Sequence, residues 1–165
     1  MNLAFRRATE LDLPSLIKLL AEDKLGKLRE DTSSPMNQKY IEAFKAIDND
    51  ANNELIVALV NAAEVDEAEV DETLVGMLQI TFIPYLTHIG SRRCLIEGVR
   101  VSEAFRGKGL GTRLFQWAIQ RAKEMNCDIV QLTSNKQRPD AIRFYESLGF
   151  AATHEGFKMN LKDKE

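Results

Sequence analysis

Six residues joining an apolar strand pattern to an amphipathic helix constrain this chain most: Arg106-Gly107-Lys108-Gly109-Leu110-Gly111. Gly107, Gly109 and Gly111 free three backbone positions from Cβ crowding, so successive amide N–H groups can point into one concavity at the start of a helix. Such a concavity binds anions, and the helix dipole reinforces it. Arg106 and Lys108 add positive charge beside it. A phosphate or pyrophosphate is therefore the expected ligand. The spacing is Gly-x-Gly-x-Gly rather than Gly-x-Gly-x-x-Gly, which departs from the dinucleotide fingerprint, and no Gly-Lys-Ser/Thr ending supports an ATP-type loop. A glycine-rich turn without a ligand is the plainer alternative.

Around this turn the pattern is strand, turn, helix, strand, helix over residues 94–150. Residues 94–101 read as a strand. Residues 109–125 read as a helix with Leu110, Leu114, Phe115, Ala118, Ile119, Ala122 and Met125 on one face. Residues 128–133 read as a buried strand. Pro139 opens a last helix and Gly149 closes it; one or two closing strands are expected after Phe150. Upstream, residues 3–7 suggest a first strand, and Thr9 with Asp12 caps a helix carrying Leu13, Leu16, Ile17 and Leu20. A second helix carries Tyr40, Ile41, Phe44 and Ile47. Residues 54–84 suggest a long hairpin whose tip, residues 62–72, carries Glu64, Asp66, Glu67, Glu69, Asp71 and Glu72 with no basic residue; this reads as a solvated loop, with attraction of a cationic acceptor such as a polyamine as the weaker reading. No repeat or linker is evident, so residues 1–165 read as one mixed α/β (α+β) domain.

Composition narrows the function classes. The formal net charge of -3 does not suit a nucleic-acid binder. The longest wholly apolar run, residues 55–60, is too short to span a bilayer, and a cytoplasmic protein is expected. Cys94 and Cys127 form no disulfide framework and read as reduced, buried thiols. His88 and His154 lack the neighbours that a metal site needs.

The turn, following Glu97-Gly98-Val99-Arg100-Val101, resembles the coenzyme A signature of the GNAT family of N-acetyltransferases, Gln/Arg-x-x-Gly-x-Gly/Ala. A second signature of that family, an Ala followed by Phe-Tyr and then Gly-Phe, is matched by Ala141, Phe144, Tyr145, Gly149 and Phe150. The resemblance implies a mostly antiparallel sheet of six to seven strands, about four flanking helices, and a splayed parallel strand pair that holds coenzyme A. It implies that backbone groups of Val99 and Val101 bind the pantetheine arm, with the Val99 N–H toward the thioester carbonyl. Arg106, Gly107, Lys108, Gly109, Leu110, Gly111 and Thr112 would hold the pyrophosphate. Many members place an Asn three residues before the Ala, where this chain has Arg138; Asn135 takes that role here. Acetyl-CoA would be the co-substrate, and a homodimer is expected by analogy.

Acetyl transfer to an amine needs a neutral amine, a stabilised oxyanion and a leaving thiolate. The resemblance suggests Tyr145 as the acid that protonates the thiolate; otherwise it packs beside Phe144. Glu97, a carboxylate within an apolar strand, is the candidate base, acting directly or through water, and burial would favour that role. A structural pair with Arg92, Arg93 or Arg100 is its alternative, and Gly98 suggests a bulge that obscures which face Glu97 occupies. The acceptor, a small-molecule or protein amine, is not specified by any motif; residues 24–39 and 85–92 are expected to shape its pocket. A coenzyme A-binding sensor or assembly domain without catalysis is the other reading.

Overall fold

A computed structural model of the chain describes residues 2–22, 26–61, 72–136 and 138–161. Its internal contacts divide it into two units, Met1–Gln131 and Leu132–Glu165. The acidic tip of the expected hairpin lies outside the described residues, apart from Glu72.

The first unit is built on a five-stranded sheet in the order β1 (Leu3–Arg7), β2 (Asn53–Asn61), β3 (Glu72–Pro84), β4 (Arg92–Val101) and β5 (Ile129–Gln131). The pairs β1–β2, β2–β3 and β3–β4 are antiparallel, and β4–β5 is parallel. The apolar runs of β2 and β3 suit strands covered on both faces. On one face lie α1 (Leu13–Ala21) and α2 (Gln38–Asp48), whose Leu13, Leu16, Leu19 and Phe44 cluster with Val57, Leu59 and Met77 of the sheet. On the other lies α4 (Leu110–Glu124), which buries Leu110, Leu114, Phe115, Ala118 and Ala122. Burying each of its larger apolar side chains contributes on the order of 1.5–3 kcal/mol. Gly76 lets α4 come close: a Cβ there would stand 3.1 Å from Leu114 Cδ1 and 3.2 Å from the Arg100 carbonyl oxygen.

A buried ion pair fixes the far end of α4. Glu54 is 5% exposed and takes a two-pronged contact from Arg121, with Nη2–Oε1 at 2.6 Å and Nε–Oε2 at 3.0 Å. The Glu54 carboxylate, foremost, raises the Arg121 pKa. Before α1, Thr9 Oγ1 and the Thr9 N–H both donate to Asp12 Oδ2, which also accepts from Arg6. This is the expected cap, although it closes a short 3-10 turn at Glu10–Asp12 ahead of the helix. A single turn, α3 (Thr87–Gly90), precedes β4.

The second unit contains α5 (Pro139–Ser147), begun by proline and followed by Gly149 at φ 92. Phe150 N–H donates to the Tyr145 carbonyl at 3.1 Å. Tyr145 is half-buried beside two rings, Phe144 at 5.6 Å and Phe150 at 6.3 Å between centroids.

The mixed, mostly antiparallel fold class is as expected. The strand count is five among the described residues, against the six to seven expected. Residues 151–161 form no strand and are exposed, including Phe157, Met159 and Leu161. Their alternation is a strand pattern, but backbone groups need a partner to make a ladder, and one local bond instead closes Thr153 N–H onto Ala151 O at 3.0 Å.

Candidate active site

β5 accompanies β4 only briefly. The parallel register runs Arg93–Ile129, Cys94–Val130 and Leu95–Gln131, and β5 then ends. Among the described residues of the first unit, the edge of β4 beyond Leu95 is therefore bordered by no strand. Edge N–H and C=O groups are a template for an extended partner. Two carbonyls of this segment accept from arginines: Val99 O from Arg100 Nη1 at 2.8 Å, and Val101 O from Arg106 Nε at 3.4 Å.

The suspected bulge is present. Gln79 pairs with Glu97 and Met77 with Arg100, so Gly98 and Val99 together face Leu78. Gly98 takes φ +61 with open space around it. Such a φ is strained for other residues. The extra residue reverses the strand's phase. Gln79 and Met77 share the α1/α2 face, so Glu97 and Arg100 point there too; Val101 pairs with Gly76 and points toward α4. Register thus settles what alternation left open.

Glu97 itself is exposed. The burial expected to favour its basicity is absent. The alternative of a structural pair is not present either: among the described residues Glu97 makes no ion pair, and Arg92 and Arg93 bond elsewhere. Arg92 donates to Asn52 Oδ1 at 2.9 Å and Met125 O at 3.2 Å.

The turn at residues 106–111 fits an anion. Gly107 and Gly109 have φ of +73 and +78, with no heavy atom near a built Cβ. The first backbone bond of α4 runs from Arg113 N–H to Gly109 O at 3.2 Å. The amides of Leu110, Gly111 and Thr112 precede it, so the helix offers them no carbonyl. Arg106 and Lys108 are exposed beside them, and Lys108 Nζ lies 5.0 Å from the Phe105 ring centroid. The edge of β4 leads into this turn, so the first unit places Glu97, Val99, Val101 and residues 106–112 in succession along one strand and the turn that follows it. Asn135 and Tyr145 belong to the second unit. Asn135 is exposed, and its carbonyl accepts from Arg138 N–H at 2.9 Å ahead of α5.

A row of polar side chains escaped the sequence reading. Asn53 Oδ1 accepts from Thr81 Oγ1 at 2.7 Å and Gln79 Nε2 at 3.2 Å. Gln131 stands opposite Leu95, and its Oε1 is 3.4 Å from Arg93 Nη1. Gln79 and Thr81 interrupt an apolar strand at alternate positions, a signal that was available. The loop over residues 26–37 is organised by Asp31, whose carboxylate accepts from Ser33 N–H and Asn37 Nδ2. Bonds from Ser33 and then Asn37 hold its pKa down to about 2. Near residues 85–92, Leu86 and Ile89 are exposed.

The thiols do not suit covalent chemistry. Cys94 is buried, and burial pushes its pKa up to about 12. Cys127 is half-buried and also raised, chiefly by burial. Among the described residues no cluster of His, Cys, Asp or Glu could hold a metal, and no helix is long and apolar enough to cross a membrane.

Comparison with known proteins gives a consistent result. The profile described as Acetyltransferase (GNAT) family matches residues 17–150. The chain is 28% identical over 159 residues to an aminoalkylphosphonate N-acetyltransferase of Salmonella typhimurium, covering 94% of this chain and 90% of that protein. It resembles a crystal structure described as a transcriptional regulator from Bacillus halodurans, with 51% identity, 97% and 100% coverage and a TM-score of 0.88. It also resembles a predicted acetyltransferase with acetyl-CoA from Clostridium acetobutylicum, with 20% identity, 97% coverage of each chain and a TM-score of 0.69. That last likeness concerns the fold.

Proposed function

We propose that this chain, which belongs to the GNAT family of acetyltransferases, transfers the acetyl group of acetyl-CoA to a primary amine by direct attack. The observation that carries the reading is the junction of β4 and α4. Among the described residues of the first unit no strand borders β4 beyond Leu95, and this edge runs into a turn with three amides that α4 leaves without a carbonyl and two exposed cations. An extended arm ending in a pyrophosphate has the shape and charge for that junction. The backbone of Val99 and Val101 would hold the arm, and Arg106, Gly107, Lys108, Gly109, Leu110, Gly111 and Thr112 the phosphates. Asn135 is assigned to cofactor binding by resemblance alone.

In the reaction the amine nitrogen attacks the thioester carbonyl carbon. The C–N bond forms, and the oxyanion accepts from the Val99 N–H. Collapse breaks the C–S bond, and the thiolate takes a proton from the Tyr145 phenol. The ammonium proton leaves through water to Glu97. Exposure of Glu97 supports a water-mediated route over direct contact, because an exposed carboxylate is solvated. The raised thiols support direct attack over an acyl-cysteine intermediate.

The family match runs from residue 17 to residue 150, through both units, which supports one domain over residues 1–165. The Salmonella relative, by its name, acts on aminoalkylphosphonates, which supports a small-molecule amine over a protein amine here. A cytoplasmic homodimer that binds neither nucleic acid nor membrane completes the proposal. The test is calorimetric titration with acetyl-CoA, NAD and ATP, followed by an amine panel assayed for free thiol. Heat with acetyl-CoA alone and acceptor-dependent thiol release are expected. Binding of NAD or ATP without coenzyme A would overturn the proposal.

A further inference from the structure

The sheet face that carries Glu97 is only partly roofed. α1 and α2 cover Val57, Leu59 and Met77. Farther along, Gln79, Thr81, Arg93, Leu95 and Gln131 are half-buried and Glu97 is exposed. The opposite face is shut: Ile56, Ala58, Leu78, Ile80, Phe82, Cys94 and Ile96 are all buried. A polar surface has thus been kept open beside the bulge.

Arg93 is the unusual member. Its guanidinium lies over the Tyr85 ring, Cζ 5.0 Å from the centroid. Nη1 has one long contact, 3.4 Å to Gln131 Oε1. Nε is buried without an acceptor. Among the described residues no carboxylate pairs with it. A half-buried guanidinium held by an aromatic face and lacking an anion is costly unless a ligand supplies one. Arg92 and Arg100 share the buried Nε without an acceptor, but the Arg92 guanidinium is engaged through Nη1 and Nη2 on the α4 side by Met125 and Asn52 and lies over Phe82.

Arg93 and Glu97 share this face four residues apart, about 13 Å between Cα atoms at strand rise. Leu95 lies between them, with Gln131 beside it. Resting on the acetyl-transfer reading, we infer that the acceptor is a small amine whose other end is an anion. Its ammonium lies toward Glu97, its carbon chain lies over Leu95, and its carboxylate or phosphate is bound by Arg93. Arg93 is then the specificity-determining residue, and the polyamine reading of the acidic tip is displaced.

The test compares matched acceptors: β-alanine, O-phosphoethanolamine, propylamine and 1,3-diaminopropane. The two anionic amines are expected to exceed the diamine by tenfold or more in kcat/KM, and their ratio to each other separates carboxylate from phosphate. Arg93→Gln should reduce that preference at least tenfold, mainly through KM, while Arg93→Lys retains part of it and Arg93→Glu turns it toward the diamine. Calorimetry of O-phosphoethanolamine with the coenzyme A complex of wild type and Arg93→Gln reads the same site without turnover. Arg93-dependent binding with no acetylation would sink the reaction and leave this site standing. Preference for the diamine in the wild type, or binding and preference indifferent to all three substitutions in folded protein, would overturn the inference.

Discussion

Glu97 stands opposite Gln79 across the β3–β4 ladder, and Gln79 donates to Asn53 on β2 at 3.2 Å. A carboxylate, an amide and a second amide thus lie in sequence across three strands on one face. Of the three groups only the carboxylate is chemically suited to the proton-accepting role proposed for Glu97.

Glu97→Gln keeps the shape of the side chain and removes that capacity. Turnover is expected to fall at neutral pH and to recover in part as pH rises, because a larger share of the amine is then already neutral. The melting temperature should hardly move, since Glu97 is exposed and in no ion pair among the described residues; exposed substitutions of this kind stay within about 0.5 kcal/mol. A pH–rate profile of wild-type shape would remove Glu97 from the proton path.

Gly109→Asp places a carboxylate at the turn. The space is open, but φ is +78, and a left-handed residue costs about 1–2 kcal/mol. Gly109→Asn carries nearly the same backbone cost without the charge. Coenzyme A affinity measured by calorimetry should fall more than tenfold further for Asp than for Asn. Equal affinities in the two folded variants would deny that an anion sits there.

Tyr145→Phe keeps the ring between Phe144 and Phe150 and deletes the hydroxyl. If the phenol protonates the thiolate, kcat should drop ~10²-fold or more with little change in acetyl-CoA affinity. A thioester with a more acidic leaving thiol should narrow the gap, because it needs the proton less. Undiminished kcat with chemistry rate-limiting would leave Tyr145 a packing residue.

Arg121→Met strands the buried Glu54 carboxylate. Removing one partner of a buried pair costs about 3–5 kcal/mol, and urea denaturation should show a loss in that range. Replacing both, as Glu54→Leu with Arg121→Met, should recover much of it. Additive losses would mean that the two side chains act independently.

The elements were legible where periodicity was strong. The stripe of Leu110, Leu114, Phe115, Ala118 and Ala122 located α4 to within a residue at its start, because an apolar face at helical spacing must be buried. The turn and the bulge were legible because glycine marks the backbone conformations other residues avoid. The exposure of Glu97 was not, since a strand's sequence does not say how far the helices roofing it extend. The Glu54–Arg121 pair was hidden by 67 residues of separation, and the Arg93–Gln131 contact depends on a parallel register that no local pattern encodes. The one or two closing strands expected after Phe150 are not formed by residues 151–161, where an apolar alternation finds no strand to pair with.

The extra residue at Gly98 gives one short segment of β4 three separate directions of action. After the bulge the half-buried Val101 turns toward α4. Glu97, just before it, projects from the opposite face. The backbone polar groups lie in the plane between them, along an edge no strand borders among the described residues of this unit. If the same residues ran through an unbulged ladder, Glu97, Val99 and Val101 would share a single face by simple alternation, and the carboxylate would lie on the side of Val101. Under the proposed mechanism, packing, ligand alignment and proton handling fall to different directions within five residues, so a change of acceptor chemistry need not disturb how the strand is held.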